Sequence, residues 1–402
     1  MIRREIYLNQ IIPFINSEDI KVITGIRRCG KSMILLQIIE ELKKKNISDE
    51  QIIFINFESL KYADLLNSLS LYNYLKNKIV NKKMYFLFDE IQEVNEWEKV
   101  INSLKVDYDC DIYLTGSNSR LLSSELATYI AGRYVSFTIY PLSYKEVIDF
   151  VNKNKINIKK ENLLEYFMKY GGFPILYTDN LATSEVTVRL TDIFSSIVLN
   201  DIVKKKNIRS IELLYYILLY ILNNIGNTFS ANSINKFFKS QNRSIDNETV
   251  YNYLEYLEES FIVKKVSRYD LKGKEVLKTQ EKFYVMDLGI RNINVHFKDE
   301  DIPGILENIV YLELLRRNYT VYVGKLKDQE VDFVCEKDSL KIYIQVTYRL
   351  NSDETIKREV APLLDIKDNY KKYIITLDKV WNSDYEGITK LSIEDFLISN
   401  EI

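Results

Sequence analysis

Over the first 140 or so residues, short apolar runs alternate with stretches in which apolar positions recur every three to four residues. The runs at 21–24, 52–57, 84–88, 112–115 and 134–139 read as strands, and the intervening stretches as amphipathic helices. The third run, MYFLF, is almost wholly apolar, as a strand covered on both faces must be. Strands of this kind alternating with helices predict an α/β domain built on a parallel sheet.

Beyond that point the period changes. Residues 143–206 read as helical and are broken by Gly171-Gly172-Phe173-Pro174, so a small helical lid is expected there. Residues 207–291 carry three helical segments, 213–224, 230–239 and 246–260, with Ser230 and Asp246 as N-caps. Two strand-like runs, 261–266 and 275–285, flank the turn YDLKGK, and three helices plus a hairpin read as a winged helix. Residues 292–402 return to mixed α/β character, with a helix at 306–318 and strands at 321–323, 330–334 and 341–346. No repeat of fixed period is visible. The longest apolar run, 213–222, is about half of what a membrane span requires and reads as a core helix. The opening MIRREIYLNQ has no apolar stretch of signal-peptide length.

Composition narrows the chemistry. At 402 residues the chain has room for two to three domains. Its 55 basic and 57 acidic residues leave a net charge of -2, so any basic face is local. Three scattered cysteines (Cys29, Cys110, Cys335) and a single histidine, His296, exclude a Cys/His zinc centre and a histidine pair. Reduced thiols fit a cytoplasmic protein. His296 has no evident role, and Trp97 reads as a packing aromatic.

One motif is specific. Gly25-Ile26-Arg27-Arg28-Cys29-Gly30-Lys31-Ser32 fits G-x-x-x-x-G-K-[ST], follows an expected strand and opens an expected helix that continues through Met33. In such a loop the glycines let backbone N–H groups turn toward phosphate oxygens. Lys31 brings a positive charge to the β and γ phosphates, and the Ser32 hydroxyl suits magnesium. The strand at 84–88 then delivers Asp89-Glu90, the Walker B arrangement, in which Asp89 holds the magnesium shell and Glu90 polarises the attacking water. The strand at 112–115 ends in Gly116-Ser117-Asn118, where either Asn118 or Ser117 is placed to bond the γ phosphate or to cap a helix over 120–129.

Taken together, VITGIRRCGKS (22–32), INFE (55–58), FDEIQ (88–92), LTGSN (114–118), AGR (131–133), PLS (141–143), GGFP (171–174), YDLKGK (269–274), Glu307-Asn308 and VDF (331–333) resemble a family of prokaryotic AAA-type, archaeal-ATPase-like P-loop ATPases. The resemblance runs over nearly the whole chain. It implies an ATPase core at 1–142, a helical lid at 143–206, a winged helix at 207–291 and a C-terminal restriction-endonuclease-like domain at 292–402. Nothing in the sequence reads the base, so ATP rather than GTP is implied by the resemblance alone. Asn118 takes the position of a phosphate sensor. Arg133 takes that of an arginine finger acting in trans within a homo-oligomer, the alternatives being a phosphate sensor in cis and a surface ion pair. Arg27 and Arg28 contact nucleotide or neighbour, or carry solvated charge. Gly172 and Pro174 approach the nucleotide on the strength of the resemblance alone.

For the last domain the resemblance implies a PD-(D/E)xK nuclease core, with Glu307, Asp332 and Gln345-Val346-Thr347 at the matching positions. The lysine is missing: an amide stands at 345 and threonine at 347, so a degenerate site without cleavage is expected. In the hairpin, Lys264, Lys265, Arg268, Lys272, Lys274, Lys278 and Lys282 outnumber Asp270, Glu275 and Glu281, a basic patch suited to DNA phosphates. Against it, Asp246, Glu248, Glu255, Glu258 and Glu259 make the helix before the hairpin acidic. Tyr215, Tyr216 and Tyr220 read as core rather than as a base-stacking face. The resulting expectation is a magnesium-dependent ATPase, not membrane-bound, whose cycle drives or gates engagement of DNA. The alternatives are a nucleotide-gated scaffold for protein partners and an ATP-licensed nuclease.

Overall fold

The computed structural model describes residues 2–118, 133–206, 208, 210–240, 245–350, 352–378 and 384–399. The helix expected over 120–129, Ala131, Gly132 and the side chain of Lys278 lie outside the described residues. Two compact units are formed, Met1–Pro141 with Glu259–Phe261, and Leu142–Glu258 with Ile262–Ile402.

The first unit is built on β1 (Ile20–Thr24), β2 (Ile52–Asn56), β3 (Met84–Asp89), β4 (Cys110–Gly116) and β5 (Tyr134–Thr138). All pairings are parallel, in the order β2-β3-β4-β1-β5. Every residue of β1, β3 and β4 is buried, as strands with helices on both faces require. Helices Lys31–Lys44, Ser68–Lys76 and Trp97–Asp107 supply the cover, and Trp97 packs into the core on one face. Because β1 lies between β4 and β5, the loop leaving β1 opens beside the end of β4, with the end of β3 one strand further. That edge is where α/β sheets hold ligands. All five expected strands are present, within two residues at each end. An unanticipated helix, Glu5–Ile11, buries Tyr7, Leu8 and Ile11; its seven residues are too few to show a period.

The second unit opens with helices Tyr144–Asn154, Leu163–Tyr170 and Thr183–Ser196, the last running on as a π-helical segment, Ile197–Lys204. Helices Ile211–Asn223, Ala231–Ser240 and Asn247–Glu259 follow. Both expected caps are made: Ser230 Oγ accepts from Ser233 N at 3.2 Å, and Asp246 Oδ1 from Thr249 N at 2.7 Å. Tyr216 and Tyr220 pack against Phe238 and Phe237, but Tyr215, expected in the core, is exposed and hydrogen-bonds Asn294. It sits on the helix face that turns away from those aromatics. Among the described residues no helix is long and apolar enough to cross a membrane.

The hairpin β6 (Val263–Asp270) and β7 (Glu275–Val285) does not stand apart as a wing. It extends a mixed sheet containing β8 (Thr320–Leu326), β9 (Gln329–Lys337), β10 (Leu340–Thr347), β11 (Lys371–Thr376), β12 (Asp384–Tyr385) and β13 (Ile388–Ser392). The order is β12-β13-β11-β10-β9-β8-β6-β7, and β6 runs parallel to β8 from Arg268 opposite Val323 to Asp270 opposite Lys325. Nothing local in the hairpin sequence announces that pairing, because the strand it joins lies beyond the intervening helix Ile302–Arg316.

One carboxylate pins this unit together. Asp287 caps helix Leu288–Val295 through Gly289 N (2.8 Å) and also accepts from Gly172 N at 2.7 Å. Gly171, at φ +75°, lies so close that a Cβ would come within 2.2 Å of Asp287 Oδ1, so both the left-handed conformation and the contact require glycine. Burial pushes the Asp287 carboxyl up to about 7, against the backbone N–H groups that favour its ionised form. A carboxyl raised in the folded state stabilises most when protonated. Its contribution should therefore be lost as pH rises from about 4, where the unfolded group ionises, to about 7. The melting temperature of Asp287→Asn should lack this component of the wild-type pH dependence across that window, which thermal unfolding at several pH values checks.

Candidate nucleotide site

The loop after β1 closes on itself around Lys31. Gly25, at φ +145°, sits against the backbone of Ile139, where a Cβ would come within 2.1 Å of the carbonyl oxygen. Arg28 and Gly30 are also at positive φ (64° and 105°), and helix Lys31–Lys44 starts directly behind them. Its N-terminus leaves backbone N–H groups free to meet an anion. The Lys31 ammonium is buried and donates to Gly25 O (3.1 Å) and Ile26 O (3.4 Å), with Glu90 Oε1 at 3.5 Å. Burial disfavours the ammonium, but Glu90 and its neighbours outweigh that and hold its pKa above the ordinary lysine value.

Asp89 and Glu90 leave the end of β3 with different surroundings. Asp89 is fully buried and takes hydrogen bonds from three neighbouring elements: Asn56 Nδ2 of β2 (2.8 Å), Thr115 Oγ1 of β4 (2.6 Å) and the Ser32 hydroxyl at the start of the helix. Burial pushes its carboxyl up, opposed by Thr115 and Ser32. Glu90 is held at φ 54°, ψ 52°, a left-handed conformation that costs a non-glycine residue roughly 1–2 kcal/mol. Its N–H donates to Thr115 Oγ1 at 2.9 Å, and its Oε2 accepts from Gln92 Nε2 at 2.5 Å. Burial opposes ionisation of Glu90, but the Lys31 ammonium and the Gln92 amide prevail and hold its pKa below the usual carboxylate range. Ser32 and Asp89 thus place two hard oxygen donors side by side, a set that suits magnesium.

Of the other sequence candidates, Ser117 and Asn118 are buried at the end of β4, beside this cluster. Arg27 pairs with Glu58, Arg28 is exposed and Met33 is 40% exposed. Cys29 is fully buried and its thiol is pushed up by burial, so it is an inert packing group. Arg133 is exposed. Gly172 and Pro174 belong to the second unit, where Gly172 binds Asp287 and Pro174 opens a short 3-10 turn.

Arg4 escaped the sequence reading. It is 3% exposed, lies over the Tyr7 ring (4.5 Å) and donates to the carbonyls of Cys29 and Tyr140, each at 3.0 Å. A peptide's C=O and N–H point in opposite directions, so fixing the Cys29 carbonyl outward turns the Gly30 N–H toward the space inside the loop.

The C-terminal positions also converge. Gln345 Oε1 accepts from Asp332 N at 3.3 Å, and Asp332 Oδ2 accepts from Val346 N at 2.7 Å. Glu307 lies near enough to raise the Asp332 carboxyl further, after burial. Thr347 is buried. Two residues of the hairpin join them: Lys282 Nζ reaches Glu307 Oε1 (2.9 Å) and Glu330 Oε1 (2.6 Å), and Tyr284 donates its hydroxyl to Glu307. Arg268, expected at a DNA-facing surface, is 8% exposed; it hydrogen-bonds Gln280 and lies 3.9 Å from Glu330. Among the described side chains, the basic surface of the hairpin is therefore Lys264, Lys265, Lys272 and Lys274, of which Lys264 pairs with Glu258 at 3.0 Å.

Residues 17–148 match the family described as an AAA domain, and residues 161–301 a domain of unknown function. The chain is 38% identical to an uncharacterised protein of Haemophilus influenzae over 99% of both chains. It is 34% identical to an uncharacterised protein of Methanocaldococcus jannaschii, over 98% of this chain and 88% of that one. It belongs to this family of AAA-type P-loop ATPases. The Walker-type ATPase PABY2304 of Pyrococcus abyssi shares its fold, with a TM-score of 0.51 at 13% identity over 73% of this chain and 96% of that one.

For this ATPase, Arg4→Ala removes the contact to the Cys29 carbonyl of the phosphate loop and the one to Tyr140 that anchors it. Each charged hydrogen bond is worth about 1.5–3 kcal/mol, and losing even part of that from the loop should weaken ATP binding about tenfold. Arg4→Lys, with one point donor in place of a fork, should recover only part of it. Titration with a fluorescent ATP analogue, beside a melting curve, separates loss of the loop from loss of the fold.

Proposed function

We propose that the chain hydrolyses ATP with magnesium and uses the cycle to engage a macromolecule, with DNA the first candidate. The observation that carries the catalytic part is the convergence of Lys31, Ser32, Asp89 and Glu90 at one sheet edge, with Glu90 ionised beside the Lys31 ammonium. Ser32 and Asp89 are the residues that would hold magnesium, which when bound would supply positive charge against the phosphate charge. The β and γ phosphates compete with Glu90 for Lys31. As the ammonium turns to them, the Glu90 carboxylate loses its counter-ion and gains basicity toward a water placed in line with the γ phosphate. Thr115 fixes the backbone from which Glu90 reaches, and Asn118 is placed to orient the same water or the phosphate. Exposed Arg133 supplies charge to the transition state at the site of a neighbouring copy.

The exposed hairpin lysines support DNA as the ligand through phosphate contacts, with salt-sensitive and sequence-independent affinity. One observation favours the second reading, a nucleotide-gated scaffold for proteins: Arg268 and Lys282 are spent on internal carboxylates, which halves the advantage of the basic patch.

Steady-state hydrolysis tests the reading. Glu90→Gln should keep ATP affinity and lower kcat by roughly 100-fold or more, whereas Lys31→Ala should lose affinity as well. Stimulation of the wild type by duplex or single-stranded DNA that fades with added salt supports the DNA reading; indifference to DNA at low salt transfers it to the scaffold. Arg133→Ala alone should be inactive, and mixing it with Lys31→Ala should restore activity, because an intact phosphate loop on one copy then faces an intact arginine on another. Failure of that mixing under conditions where the wild type is oligomeric would remove the trans role.

A further inference from the structure

The endonuclease-like reading of the C-terminal domain implies a divalent metal held by Glu307 and Asp332, and the residues around those carboxylates do not fit one. A hard dication takes about six oxygen ligands at 2.0–2.1 Å and tolerates no second cation inside its shell. Here a cation is already seated. The Lys282 side chain is 3% exposed, and its ammonium lies 2.9 Å from Glu307 and 2.6 Å from Glu330, with Asp332 adding to the same negative field. Part of the remaining capacity of the carboxylates is also taken up. Tyr284 donates to the Glu307 oxygen that Lys282 contacts, the Glu307 carboxyl lies against Gly226, and Asp332 Oδ2 is bound by the backbone of Val346. Arg268 brings a second positive group to Glu330.

The lysine absent two residues after Gln345 thus has a counterpart, but from a different strand and with a different consequence. Lys282 and Tyr284 are two apart on β7, so both point to the same face, and β7 reaches this place because the hairpin is part of the C-terminal sheet.

We propose that Lys282 is the resident cation of the Glu307, Glu330 and Asp332 cluster, that it closes this domain to Mg2+ and Mn2+, and that removing its charge converts the cluster into a divalent-metal site. The lysine does covalently, and with one charge, what the metal of a working nuclease core does with two. The domain is then metal-independent, and its carboxylates serve to hold the hairpin on the sheet.

The test uses the full chain, free of nucleotide, in an Asp89→Asn background that silences the ATPase metal ligand. Free Mn2+ is followed by electron paramagnetic resonance during titration. The parent should show no site that depends on Glu307, and Glu307→Gln should leave its Mn2+ binding unchanged. Lys282→Met should bind one further Mn2+ per chain, roughly tenfold or more tighter than any binding by the parent, and adding Glu307→Gln should abolish it. Because Lys282→Met leaves buried Asp332 and the partly buried Glu307 and Glu330 without their counter-ion, Lys282→Met/Glu330→Gln is the companion variant, removing one negative charge with the positive one. If either variant unfolds without metal, recovery of its melting transition on adding Mn2+, absent in the parent, is the expected result. Three results overturn the proposal: a Glu307-dependent Mn2+ site in the parent, folded variants that gain no site, or unfolded variants that Mn2+ does not rescue.

Discussion

The ATPase core is organised around the need to keep one carboxylate ionisable inside a sheet. Asp89 ends a strand whose every residue is buried, so its charge has no water to fall back on. An unpaired buried carboxylate would simply take up a proton. What opposes that is a donor from each direction: Asn56 on one neighbouring strand, Thr115 on the other and Ser32 at the start of the following helix. Asn56 stands directly opposite Asp89 in the β2–β3 ladder, so this bond exists in one register only. Sliding β2 by a single residue would carry the amide to the other face. The same contacts that hold the Asp89 carboxylate in place therefore also fix how the central strands align.

Thr115 links the two acidic residues. Its hydroxyl donates to Asp89 and accepts from the Glu90 N–H, so one small side chain both stabilises a buried charge and offsets the unfavourable backbone conformation at Glu90. Strain held this way fixes the direction from which the Glu90 carboxylate reaches toward Lys31.

What could be read in the sequence is what depends on neighbours in the chain. The glycines and lysine of the phosphate loop, the apolar run ending in two acids, and the caps Ser230 and Asp246 are each recognisable from residues that stand next to one another in the chain. Asn56 and Thr115 were invisible as site residues because a polar residue ending a strand run looks like any other; only the strand order reveals that they flank Asp89. Arg4 reaches a carbonyl distant in the chain. Arg268 and Lys282 were counted as surface charge because their carboxylates, Glu307 and Glu330, come from elements well downstream. Charge counts along a hairpin do not see what the other face of its sheet contains.

The continuity of the hairpin with the C-terminal sheet has a consequence for solubility. An open eight-stranded sheet has two rims of unpaired backbone that another chain could adopt as a template. At one rim β12 is only two residues long and offers almost no ladder. At the other, β7 is eleven residues long, yet Thr228 bridges to Lys282 and the Phe229 N–H donates to the Glu281 carbonyl, covering it at that point. Lys282 also points its charge inward at that place, and an incoming strand that displaced it would strand three acidic groups. The Lys282 cluster thus keeps a buried charge at the rim where another strand could otherwise be added.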